Sequence, residues 1–200
     1  VPSWLESIRK NIKAGTVIAG KIELEIVNHG LWEMYDNLAH LNSEKNAGNS
    51  QVATANMSVL RCDFDFVGPF EERFSGGDYD WSTRAKSKGL DILFVKEAMV
   101  YHPTRKSFEQ ILKKEQRIAY GVGNHYKLNN KSLFSLSLRY FAKIFKIDTN
   151  IRHHNSLKAL GVSKSDLKEF DKKFWIIRLD QLKYAIRGYK MVDVRKLGIK

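Results

Sequence analysis

Between Gly76 and Pro103 the sequence changes its periodicity once, from helix to strand, which points to an α/β arrangement. Behind the glycine pair Gly76-Gly77 stand Asp78 and Asp80, where a helix dipole favours negative charge. Trp81, Arg84, Ala85 and Lys88 follow at helical spacing, and Gly89 is a natural stop. Asp91 to Val95 and Ala98 to Tyr101 read as extended pieces, with His102 at their end before Pro103. Asp78 can cap the helix or serve as a general acid or base. His102 can ligate a metal or bond a neighbouring backbone group.

The flanking sequence extends this α/β pattern. Trp4, Leu5, Ile8 and Ile12 are spaced for a helix over 4–12. Thr16 to Val27 reads as a strand, its second half alternating Ile22, Leu24 and Ile26 with Lys21, Glu23 and Glu25. A helix follows Gly30, carrying Leu31, Met34, Tyr35, Leu38 and Leu41. Asn42 to Ser50 is polar and reads as a mobile loop; residues 51–60 read as a strand with Asn56 in its middle. An amide in such a run needs partners, either backbone or ligand. Residues 61–74 read as an irregular segment pinned by Phe64, Phe66, Phe70 and Phe74.

After His102 the chain turns helical and basic. Ser107 and Gln110 form a capping box opening a helix expected to end at Gly121 or Gly123. A second helix, over 132–147, sets Leu133, Leu136, Tyr140, Phe141, Ile144 and Phe145 against Arg139, Lys143 and Lys146. Such a helix packs on a core or lies on an anionic membrane. A linker containing His153-His154-Asn155-Ser156 leads to a last helix at about 165–187.

Charge follows the same division. Residues 1–100 carry a net −3 and residues 101–200 a net +15, which suits an anionic partner. A hydrophobic content of 43% is enough for a proper core. The single Cys62 excludes an internal disulfide framework, and no Cys/His cluster has zinc spacing. No apolar run is long enough to span a membrane, and the start, Val1-Pro2-Ser3-Trp4, lacks methionine and a signal-peptide pattern.

Five pieces in order carry a family resemblance: Ala55-Asn56-Met57-Ser58-Val59-Leu60-Arg61, Phe64 to Phe74, Gly77 to Arg84, Lys88-Gly89 and Val100-Tyr101-His102-Pro103. Over roughly residues 10–123 the chain resembles the C-terminal half of the catalytic domain of glycosyltransferase family 2. The resemblance implies a partial GT-A-like (Rossmann-like) mixed sheet with flanking helices. Residues 1–123 would be the acceptor-side half and 124–200 a basic helical extension.

It further implies inverting transfer of a sugar from a nucleotide-sugar donor to a hydroxyl of a carbohydrate or lipid-linked acceptor, in the setting of cell-envelope polysaccharide. Asp78 takes the position of the catalytic base; Gly77 stands where the family's acidic pair has its first member. Asn56, Asp80 and Trp81 fall on the acceptor side. His102 falls where members bind a divalent cation, Mn²⁺ or Mg²⁺. Arg105 and Arg117, with Lys106 beside them, fall where cations offset the donor phosphates. Asp63-Phe64-Asp65 has the form of the family's Asp-x-Asp metal motif but follows the Asn56 segment, out of context. The donor-binding half is expected to precede Val1. The implied location is the cytoplasm, with the extension peripheral on the inner membrane face. The other readings are a non-catalytic basic module on anionic membrane or nucleic acid, for which no nucleic-acid motif is present, and half of a split transferase.

Overall fold

A computed structural model describes residues 2–191; residues 192–200 of the expected extension lie outside the described residues. The elements are α1 (Pro2–Asn11), β1 (Thr16–Glu25), α2 (Leu31–Ala39), α3 (Ser43–Gly48), a 3₁₀ turn (Thr54–Asn56), β2 (Met57–Val59), α4 (Arg61–Val67), α5 (Gly77–Ser87), β3 (Asp91–Pro103), α6 (Phe108–Leu128), α7 (Leu133–Ile144), α8 (Ile147–Ala159) and α9 (Lys164–Met191). The class is mixed α/β with a helical C-terminal segment, as the sequence implies. The chain divides into two units. Of the described residues, one comprises 2–25, 39–71 and 77–104, and the other 26–38, 72–76 and 105–191.

The first unit is built on a three-stranded sheet ordered β2-β1-β3, with β1 antiparallel to β2 and parallel to β3. Its central strand opens with five consecutive buried residues, Thr16 to Gly20, because helices cover both faces. Ile18 points to one side with Ile8, Val95 and Ala98, where α1 packs. Val17 and Ala19 point to the other, into a core of Val52, Val67, Trp81, Ala85 and Leu90. The alternation in 20–26 marks where this double coverage ends.

β3 is a single strand where the sequence suggests two pieces. Gly20 pairs with Val95 and Lys21 with Met99, so Lys96, Glu97 and Ala98 bulge out of the ladder. A Cβ at Gly20 would overlap the Asn56 amide and the Ala98 carbonyl, so only glycine fits beside the bulge.

Three expectations in this unit need correction. The polar stretch 42–50 contains helix α3, because Asn42 acts as its N-cap: the Asn42 side chain accepts the Lys45 N–H at 2.9 Å. Residues 61–67 form helix α4 rather than irregular chain, closed by Gly68 at φ +91°. The run 51–60 is strand only over Met57–Val59.

The second unit is helical. Ser107 caps α6 as expected, accepting the Gln110 N–H, but the Gln110 side chain accepts from Lys106 N–H instead. Neither Gly121 nor Gly123 ends α6, which runs to Leu128. Both glycines are there for close approach: a Cβ on Gly123 would lie 2.7 Å from Tyr189 N, and one on Gly121 2.7 Å from Ser75 Cβ. Gly188 of α9 meets the Tyr120 backbone in the same manner, and Asn124 Nδ2 donates to the Gly188 carbonyl at 2.7 Å. The residues read as a histidine-containing linker belong to helix α8. There His154 Nδ1 lies 3.0 Å from Asp171, and the His153 ring packs edge-on to Tyr35.

Candidate functional site

Asp78 stands in the first turn of α5, reached through Gly76 at φ +81°. Asp78 Oδ1 accepts the Tyr79 N–H at 3.0 Å, and Oδ2 accepts the Thr54 N–H over a longer 3.4 Å. The carboxylate is half-buried, aligned by two backbone donors and still open to solvent on one side. The turn beneath it is fixed by Ser82, whose buried hydroxyl donates to the Asp78 carbonyl at 2.7 Å and accepts the Val52 N–H at 3.1 Å. Tyr79 reaches α3: Asn46 Nδ2 donates to its hydroxyl at 3.2 Å. Burial, then the charge of Asp78, raises the Tyr79 phenol above its usual range, so it stays a neutral hydroxyl. Sequence reasoning missed Asn46, Thr54, Tyr79 and Ser82. The Asn42 cap, which fixes α3 and so places Asn46, was the one signal that could have revealed part of this set.

The other residues expected on the acceptor side are committed elsewhere. Asn56 is buried, with Nδ2 donating to the carbonyls of Lys21 (2.9 Å) and Ala98 (2.8 Å) and Oδ1 accepting from Trp4 Nε1 (3.0 Å). Its partners are two backbone carbonyls and the Trp4 indole, and it seals the bulge between β1 and β3. Trp81 is 0% exposed, with its indole N–H donating to the Gly68 carbonyl and its ring stacked on Phe64. That places it in the core, with no surface for a sugar. Asp80 accepts from Arg84 Nε at 3.2 Å, and the same guanidinium donates to the carbonyls of Val67 and Pro69. Asp80 thus holds a clamp on the turn after α4.

At the end of β3, His102 Nδ1 lies 2.9 Å from the Pro103 carbonyl. A carbonyl only accepts, so the proton of a neutral imidazole sits on Nδ1 and the lone pair on Nε2. That nitrogen suits a metal, but among the described residues no three His, Cys, Asp or Glu side chains gather as a metal site. His102 offers a single ligand.

In the second unit, Arg105 donates from its backbone N–H (2.9 Å) and guanidinium (3.1 Å) to Asp36, which is fully buried on α2. Lys114 reaches the same carboxylate at 3.4 Å. Burial lowers the Lys114 ammonium to about 8 in spite of that partner. Arg117 is exposed and makes only a 3.4 Å contact, to Ser75 Oγ. The structure therefore brings Asn56, Asp78, Asp80, Trp81 and His102 into the first unit, and Arg105 and Arg117 into the second.

The fold class is α/β, with an aligned, solvent-open carboxylate at a helix start. In sequence, the chain is similar to the Glycosyltransferase AglE of Haloferax volcanii, 32% identical over 143 residues. The match covers 68% of this chain and 47% of that protein, so the chain spans about half the length of the curated relative it matches. No family model matches the chain, and no solved structure matches it. Among the described residues no helix is long and apolar enough to cross a membrane.

Proposed function

We propose that this chain is the acceptor-side part of an inverting glycosyltransferase of family 2 type, acting on a nucleotide-sugar donor and an acceptor hydroxyl. The observation that carries the proposal is the 143-residue similarity to a glycosyltransferase. The setting of Asp78 supports it chemically. A sugar hydroxyl is a poor nucleophile until its proton leaves as it attacks. Asp78 takes that proton while the acceptor oxygen bonds to the anomeric carbon from the face opposite the leaving group. The bond from that carbon to the diphosphate oxygen breaks, and its electron pair leaves with the nucleoside diphosphate. The two backbone N–H groups hold the carboxylate in one orientation, so little reorganisation is needed at the moment of transfer.

A divalent ion would neutralise the departing diphosphate, and His102 Nε2 would be its ligand from this chain. Of the two arginines expected at the donor phosphates, Arg105 already serves Asp36, and Arg117 is exposed with a 3.4 Å contact to Ser75 Oγ.

The test uses the full-length protein and follows transfer of labelled sugar from a panel of nucleotide sugars into total lipid and polysaccharide acceptors. Asp78→Asn should lower the rate by about 10²–10⁴-fold with unchanged melting behaviour, the range general bases contribute. A folded Asp78→Asn enzyme with wild-type turnover would remove Asp78 as base.

A further inference from the structure

We propose that α7 is a docking surface for an anionic lipid bilayer. The helix has three faces. Leu136 and Tyr140 are buried with Ala119 and Ala185 against α6 and α9. Phe134, Leu138, Phe141 and Phe145 fall within roughly 60° of arc at about 100° per residue. These four are 76%, 55%, 53% and 63% exposed. Phe141 and Phe145 already pack on each other, with ring centroids 4.8 Å apart. Arg139 lies on one flank of that stripe, Lys146 follows just past the end of the helix, and Lys143 is half-buried over the Tyr140 ring at 4.6 Å.

The sequence selects the occupant. Residues 126–147 contain Lys127, Lys131, Arg139, Lys143 and Lys146 and neither Asp nor Glu. A contiguous aromatic stripe of this kind marks an interaction site rather than ordinary surface. With basic residues on one flank and no acidic residue in that run, it fits acyl chains beneath anionic headgroups: rings enter the boundary while long basic side chains reach phosphate. The sequence pattern places Phe141 and Phe145 on the same face as Leu136 and Tyr140. The structure separates them, and the separation leaves the stripe free.

The inference stands apart from the transferase assignment and is tested without activity. Both this chain and the full-length protein are floated with phosphatidylcholine vesicles containing or lacking phosphatidylglycerol. Binding is expected only to the anionic vesicles, weakening as salt is raised. Phe141→Ser with Phe145→Ser should weaken it by about tenfold or more, the cost of withdrawing two rings from an apolar phase. Arg139→Gln with Lys146→Gln should weaken it about tenfold as well, each surface charge adding a few-fold. Both positions of the first pair are exposed, so folding should survive and is checked by circular dichroism.

Several results would overturn the proposal. They are no binding to anionic vesicles, undiminished binding by the phenylalanine pair, or a dimer in light scattering that the phenylalanine substitutions dissociate. The last would assign the stripe to a second copy. Binding by this chain but not by the full-length protein would assign it to the remainder of the protein.

Discussion

Replacing Asn56 separates a structural amide from a ligand-binding one. In Asn56→Ala the carbonyls of Lys21 and Ala98 lose their side-chain donor, and Trp4 Nε1 loses its acceptor. Two buried acceptors left unpaired cost roughly 1–3 kcal/mol each, and the indole bond about 1 kcal/mol more. The expected loss is therefore roughly 3–7 kcal/mol, which at a urea m-value of about 2 kcal/mol/M moves the midpoint down by roughly 1.5–3.5 M. Asn56→Asp is the sharper probe. It preserves the shape and the bond from Trp4 but turns a carboxylate oxygen toward two carbonyls. Its folded state then binds a proton more readily than its unfolded state, so its deficit should shrink as pH falls. Urea unfolding followed by circular dichroism at neutral and acid pH reads both effects. An Asn56→Ala protein with the wild-type midpoint would refute the bulge-sealing role and return the amide to the acceptor side.

Two further perturbations test the second unit. Gly188→Ala should destabilise by several kcal/mol, because the new methyl would overlap the Tyr120 carbonyl, which is backbone and cannot turn away; an unshifted melting temperature would contradict the close α6–α9 approach. Lys114 is lowered from 10.5 to about 8, first by burial, so above pH 8 the folded state sheds a proton that the unfolded state keeps. Wild-type stability should thus gain roughly 3 kcal/mol relative to Lys114→Met as pH rises from 8 toward 10.5, at 1.36 kcal/mol per pKa unit. Parallel pH profiles in chemical denaturation would show that Lys114 is not desolvated.

Local patterns in the sequence were sufficient at both ends of α5 and at the start of α6, though the equally local Asn42 cap of α3 was passed over. The Gly76 entry, the α5 spacing, the Gly89 stop and the Ser107 cap all act within one helical turn, and each appears in the structure. Other errors arose where the deciding partner is distant. Gly121 and Gly123 carry the local mark of a helix end, yet what fixes them is the proximity of Ser75 in one case and of Ala185 and Tyr189 in the other. No window of periodicity contains those residues.

The candidate site divides in the same way. Asp78 could be singled out because its place at a helix start is local, but its alignment depends on Thr54, twenty-four residues upstream. Asn56 and Trp81 were candidates because the family resemblance puts their positions on the acceptor side. Whether such a group faces solvent or core is set by partners far away in sequence: Trp4, Lys21 and Ala98 for the amide, and Gly68 and Phe64 for the indole. With those partners made, both side chains are buried and face no ligand. The carboxylate of Asp78 differs in that respect. Each of its oxygens accepts one backbone N–H while a further lone pair on each remains, and a base needs that spare capacity to take a proton.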